Sequence, residues 1–381
     1  MPIPFDYDTL KILWWLLLGI LLIGFAIMDG FDLGVATLIP FIGKKDEERR
    51  IIINTVGPVW EGNQVWLVIG AGAIFAAWPM VYAVAFSGFY IAMFLVLFAL
   101  IIRPVGFKFR SKLDNTTWRS IWDWGLFVSG FVPSLVFGVA VGNVLQGVPF
   151  YIDDHMMPHY TGSFWELFTP FTLMCGGVSA SMLTQHGALY LAIKTEKEIS
   201  ARAQSVVNWT TLLTLALFSI AGLYASSLLE GYRITSEFVA NAAANPMAKS
   251  VTTDLGLLMK NYDMYPWMVS APAIGLVGTF LAWHLKMKGS LKTAFVMNAL
   301  AILGIISTAG LSLFPFIIPS AYDPRSSLTV WDASSSHTTL FIMLCATAIF
   351  LPLILGYTTW AYRVMAGKVT SKTLNDEINS Y

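Results

Sequence analysis

Charge is what this sequence has least of. Of its 381 residues only 12% are Asp, Glu, Lys or Arg, about half the roughly 25% of an ordinary soluble domain. Hydrophobic residues make up 56% and the mean hydropathy is +0.66, a balance that excludes a soluble globular fold. With 23 basic against 23 acidic residues, the overall basic surplus of a nucleic-acid binder is missing as well. Cysteine is scarce: Cys175 and Cys345 lie in no CxxC or CxxCH spacing, which disfavours a disulfide framework, a zinc site and covalent haem attachment. Both are expected to be small buried residues. The GxSxG, HExxH and GxxxxGK[ST] patterns are also absent, and with them the sequence cues for hydrolase, zincin and P-loop chemistry. The amino-terminal MPIPFDYD is acidic where a signal peptide is basic, and the apolar run after it is too long for one, so that run is expected to be a retained span.

What the chain does have is long apolar runs. They fall near residues 10–42, 53–78, 81–102, 121–145, 164–193, 206–229, 265–285, 294–318 and 338–365, each long enough for a bilayer crossing of about 20 residues. The expected fold is therefore an all-α integral membrane protein with nine transmembrane helices, residues 1–381 forming a single polytopic membrane domain. Pro133, Pro170, Pro272 and Pro315 fall inside these runs, where membrane helices tolerate them. The loops after the first, third, fifth and seventh runs, with the tail, carry 18 of the 23 basic residues, and the other side carries Lys11, Arg233, Lys249, Lys260 and Arg325. The positive-inside rule then puts the amino terminus outside and the carboxyl terminus in the cytoplasm. Gly138 with Gly142, and Gly70 with Gly72, offer small faces for close helix packing. Trp14, Trp78, Trp118, Trp165, Trp267, Trp283 and Trp360 sit near run ends, as an interfacial aromatic belt requires.

Carboxylates inside spans cost roughly 2.5 to 3.5 kcal/mol each at a helix centre, so the few present are informative. Asp29 and Asp32 lie in DGFD, read as a break in the first span, and Glu61 lies in WEGNQVW at the start of the second. Given the orientation above, all three fall in the cytoplasmic half, and one polar cluster between adjacent helices is expected to hold them. Burial and like-charged neighbours both disfavour an ionised carboxyl, so such a cluster exchanges protons near neutral pH; a purely structural, helix-bridging role is the alternative. His186, in TQHGALY, is the one histidine clearly within a span; it reads as a hydrogen-bonding, structural residue rather than a ligand of an intrinsic haem. Asp332 has the position of a helix N-cap before the last span. The KKDEERR run at 44–50 reads as a solvated loop.

Read together, eight motifs resemble those of the second subunit of cytochrome bd-type bacterial quinol oxidases, in order and over the whole chain. They are ILWW at 12–15, DGFDLG at 29–34, ERRIIINTVGPVWEGNQVWL at 48–67, FAAWPMVYAVAFSGFY at 75–90, RPVGF at 103–107, GNVLQGVPF at 142–150, LFPFIIPS at 313–320 and LTVWDASSS at 328–336. The resemblance implies a multi-pass protein of the bacterial cytoplasmic (inner) membrane, its nine helices arranged as two four-helix bundles plus one peripheral helix. It implies a partner, subunit I, that holds two haems b and one haem d, oxidises quinol and reduces dioxygen to water, with no haem and no metal bound by this chain. A small single-span accessory subunit and a bound structural quinone are also features of such oxidases. By the same resemblance Glu61 lies on a proton route from the cytoplasm, where relatives often carry Asp. Lys112 and Tyr381 border its entrance, with Lys108 standing where many relatives have Asp, and Trp66 marks a hydrophobic oxygen channel. The competing reading is an ion-coupled secondary transporter, with Asp29, Asp32 and Glu61 binding the coupling ion at a broken helix.

Overall fold

Apolar runs in hydrocarbon must pair every backbone N–H and C=O within the segment, which leaves the helix as the form for a single run. The computed structural model describes residues 3–370, so Tyr381 lies outside the described residues. Its helices are α1 (Tyr7–Ile42), α2 (Asp46–Val56), α3 (Trp60–Ala77), α4 (Pro79–Gly88), α5 (Tyr90–Phe109), α6 (Thr116–Gln146), α7 (Pro170–Lys194), α8 (Lys197–Ser227), the short α9 (Lys260–Met264), α10 (Ser270–Met287), α11 (Leu291–Leu313) and α12 (His337–Val364). Three antiparallel two-stranded hairpins complete it: β1 (Phe150–Ile152) with β2 (Pro158–Tyr160), β3 (Glu230–Ile234) with β4 (Val251–Leu255), and β5 (Phe316–Ile318) with β6 (Leu328–Thr329).

Three expectations about the runs are corrected. Pro58 cannot donate a backbone hydrogen bond, and the helix stops at Gly57, so α2 and α3 are separate elements. Pro79 opens α4 immediately after Trp78, where α3 and α4 meet at 120° and the run at 81–102 is divided. The DGFD segment, by contrast, is no break: α1 runs through it as one helix of 36 residues. Among the described residues seven helices are long and apolar enough to cross a membrane, or eight if the bent pair is one span. The expected nine are not reached on apolarity because α7 carries Gly, Ser, Thr, Gln and His on faces that other helices cover.

α1 sits at the centre, packed on α3, α6, α7 and α11, while α5 with α6, α7 with α8 and α10 with α11 form neighbouring helix pairs. Small residues set the closest approaches. A Cβ at Gly138 would overlap the Cys175 carbonyl of α7, and one at Gly187 would stand 2.5 Å from the Gly34 carbonyl carbon of α1, so α7 packs backbone to backbone on both sides. Gly70 and Gly72 play no such part, since nothing lies within 4 Å of a Cβ at either. α12 is peripheral, only 6% of its apolar window being covered. It carries Cys345 on an exposed face, and Cys175 is half-buried, so neither cysteine is a core residue. Trp165, Trp267 and Trp360 are exposed as a belt requires, but Trp14 and Trp78 are core residues, Trp14 donating to the Leu340 carbonyl at 2.9 Å.

The two ends of the helix array differ chemically. All three hairpins gather at one end with the amino-terminal segment: Val148 bridges to Ser320, Tyr7 Oη donates to the Ser335 carbonyl, and Lys11 Nζ reaches the Ala242 carbonyl. The other end carries the short loops and the KKDEERR run, which is not a solvated loop. Arg49 and Arg110 both grip Asp123, Arg110 and Arg119 both reach Asp46, and Arg202 binds Glu48 at 2.7 Å. This network clamps α2 to α5, α6 and α8.

Candidate functional site

Asp29 and Asp32 lie less than one turn apart on α1 and are 0% and 1% exposed. Among the described residues each carboxylate has one hydrogen-bonded partner. Arg103 of α5 donates from Nη1 to Asp29 Oδ1 at 2.6 Å, and Asn63 of α3 donates from Nδ2 to Asp32 Oδ2 at 2.7 Å. Asn63 in turn accepts the Tyr362 hydroxyl of α12 at 2.7 Å. Four elements thus converge on two neighbouring hydrogen-bonded sets, Arg103 with Asp29 and Tyr362 with Asn63 and Asp32, with no direct bond between the sets among the described residues. Asp29 Oδ2, Asp32 Oδ1 and Arg103 Nε and Nη2 have no partner among the described residues. Buried polar atoms left open in this way are sites that ordered water fills. Two carboxylates stand beside one guanidinium that bonds only Asp29, so Asp32, held by an amide, has no cation in direct contact and can take up a proton without breaking an ion pair. The sequence reading found both aspartates but missed Arg103, Asn63 and Tyr362, although RPVGF and WEGNQVW placed the first two beside apolar runs.

Glu61 is not in this cluster. It stands in the first turn of α3, two residues from Asn63 and so on the opposite face, where it is exposed. That face continues through Val68 and Phe75, which are 68% and 60% exposed. The expectation of one cluster holding all three acids is corrected: the helical period separates Glu61 from Asn63 by about 200°. Lys112 is exposed in the turn after α5, at the same end as the ionic clamp. Trp66 is buried against α1, its ring 2.5 Å from where a Cβ of Gly24 would be, and its indole N–H has no partner among the described residues.

Phe31, between the two aspartates in sequence, stacks on Tyr190 with centroids 4.1 Å apart and meets His186, Phe295 and Tyr362 edge-on. Behind that wall His186 is fully buried and stacked on Phe295 at 4.2 Å. Its Nε2 donates to the Ile27 carbonyl and its Nδ1 accepts from Asn298 Nδ2, each at 3.1 Å. Asp332 is not the N-cap of α12; Ser336 is, accepting from the Thr339 N–H. Asp332 instead accepts the Thr329 N–H at 3.0 Å and pairs with Lys249 at 2.9 Å, tying the loop after β3 to the one before α12.

The sequence model of the family described as cytochrome bd terminal oxidase subunit II matches residues 10–365. The chain belongs to that family. It is 46% identical over 375 residues to cytochrome bd-I ubiquinol oxidase subunit 2 of Escherichia coli K12, with 98% of this chain and 99% of that one covered. It is 48% identical to a probable cytochrome oxidase subunit 2 of Haemophilus influenzae over the same shares. Cytochrome bd ubiquinol oxidase subunit 2 of Bacillus subtilis is 32% identical over 96% of this chain and 98% of its own. The fold resembles a chain in the structure of bd oxidase from Geobacillus thermodenitrificans, with a TM-score of 0.70 over 94% of this chain and 98% of that one at 16% identity. His186 is not free to ligate a haem iron, since both of its ring nitrogens are committed to protein partners.

Proposed function

We propose that this chain, as the second subunit of a bd-type quinol oxidase, holds the haem-bearing subunit I in the membrane and supplies it with protons from the cytoplasmic side. The observation that carries the proton role is the pair of adjacent polar sets, Tyr362–Asn63–Asp32 and Arg103–Asp29, whose buried aspartates lie three residues apart on α1 and leave polar atoms open. Glu61 adds a second one. An acid on a lipid-facing surface costs a few kcal/mol, so the α3 face that presents Glu61 with Val68 and Phe75 is the face subunit I covers. Protons then pass from the Lys112 end to Glu61 at the interface, with Asp32 and Asp29 as a buried reserve on the other face of α3.

The finer reading follows the family. The two haems b and the haem d, the oxidation of quinol and the reduction of dioxygen belong to subunit I, with a small single-span accessory subunit alongside. This chain adds nine membrane crossings in two four-helix bundles with α12 peripheral, a structural quinone and, past Trp66, an oxygen channel. The basic end faces the cytoplasm and the hairpin end the outside, in the bacterial inner membrane. Protons taken up at the basic end for water, against those quinol releases outside, build a gradient by vectorial chemistry. The transporter reading rested on a broken first helix; with α1 continuous, nothing favours it.

The test is Glu61→Gln beside Glu61→Asp. The first is expected to slow turnover per haem with assembly and haem content intact, and the second to keep most of it. Unchanged turnover in Glu61→Gln removes this residue from the proton route. A reduced-minus-oxidised spectrum of the gently purified complex should show b-type and d-type bands that leave with a second polypeptide on subunit separation.

A further inference from the structure

A cavity of about 540 Å³ opens at the basic end, far along the chain from the aspartate cluster, between the α7–α8 and α10–α11 loops and the segment after α12. Its polar rim is cationic: Lys197, Lys292 and Lys368 line it against one acid, Glu196. Among the described residues no carboxylate pairs with Lys197 or Lys292, and Lys368 reaches Glu196 only at 3.4 Å. The N-termini of α8 and α11 both open on it, and no side chain caps either, so backbone N–H groups add to the positive field. The rest of the lining includes apolar side chains, with Ala192, Ile193, Ala201 and Leu291 forming its apolar wall.

A cationic rim over an apolar wall, placed where a membrane helix array meets water, matches one ligand chemistry. We propose that this cavity binds a phosphodiester anion at the membrane surface, the headgroup of an anionic phospholipid, with Lys197 and Lys292 on the phosphate and the start of an acyl chain along Ala201 and Leu291. A free phosphate-bearing solute shares the headgroup chemistry but leaves the apolar wall unused. Each lysine near an anionic lipid surface contributes roughly a fivefold gain in binding.

The test uses the chain purified with everything bound to it and placed in nanodiscs of mixed phosphatidylglycerol and phosphatidylcholine, with retained lipid read by native mass spectrometry. Wild type is expected to retain phosphatidylglycerol over phosphatidylcholine, and Lys197→Gln with Lys292→Gln to lose that preference by roughly fivefold per lysine. A control pair of equal charge loss outside the cavity, Lys44→Gln with Lys108→Gln, should keep it. If neither lipid is preferred but inorganic phosphate raises the melting temperature of wild type and not of the cavity variant, the site holds and its ligand is a soluble phosphate. The proposal is overturned if the cavity pair and the control pair behave alike in both measurements. Exposed lysines changed to glutamine leave the packing untouched, and the haem content of each variant verifies assembly.

Discussion

Arg103 closes on Asp29 at 2.6 Å with both side chains wholly buried, and among the described residues neither has another counter-charge within bonding distance. Removing one partner strands the other. Arg103→Leu is expected to cost roughly 3–5 kcal/mol, while Arg103→Leu combined with Asp29→Leu recovers most of it. Thermal melting of the purified complex, run as a double-mutant cycle, measures the coupling. Additive losses from the two substitutions would mean that the pair is not a unit.

Tyr362 contributes a single hydroxyl to the cluster, through Asn63. Tyr362→Phe leaves a buried amide oxygen without its donor and should lower stability by about 1–3 kcal/mol. A role in proton supply adds a fall in turnover per haem, with normal haem content and partial recovery at lower pH. A purely structural Tyr362 would lower the amount of folded complex but leave the turnover of each one unchanged.

Between α1 and α7 there is no room for a side chain at Gly34, where a Cβ would overlap the Leu183 carbonyl. Gly34→Ala should therefore cost roughly 1–3 kcal/mol through forced separation of the two helices. Gly222→Ala, inside α8 at a position with nothing within 4 Å of an added Cβ, is the matched control and should melt at or slightly above wild type.

Glu48 ties α2 to α8 outside the spans. Burial pushes its carboxyl up, but the Arg202 guanidinium and the Lys44 and Lys45 N–H groups outweigh that and hold it below the usual carboxylate range. A depressed folded-state value gives stability that is fully present above the unfolded value of about 4.3 and is lost as pH falls through the folded one. The melting-temperature gap between wild type and Glu48→Gln should thus be constant from neutrality to about pH 5 and close below about pH 4. A gap that widened on acidification would contradict the assignment.

The fold was legible wherever one run made one helix. α6, α8 and α11 follow from apolar length, as does the extent of α1 though not its continuity through DGFD, and the Gly138–Gly142 spacing announced a close helix contact whose partner, α7, the structure supplies. The bend at Trp78 was not legible, because a hydropathy sum is the same whether the chain continues or turns by 120°. α7 illustrates the converse, its polar residues being affordable only because neighbouring helices cover them. In the site, Asp29 and Asp32 stood out by their cost in an apolar run. Their partners did not: Arg103 is 74 residues from Asp29, and Tyr362 is 299 from Asn63, distances at which one sequence carries no pairing signal. Glu61 was legible as an acid but not as a surface residue, since depth and face are separate quantities and hydropathy reports the first.

The peripheral position of α12 also sets an order of events. The ribosome delivers α1, α3 and α5 early, so both aspartates, Arg103 and Asn63 enter the membrane long before Tyr362 exists. Until the final helix arrives, the Asn63 side-chain oxygen has no tyrosine to satisfy it and the Trp14 indole lacks the Leu340 carbonyl. Completion of the Asn63 hydrogen bonding is thereby tied to completion of synthesis.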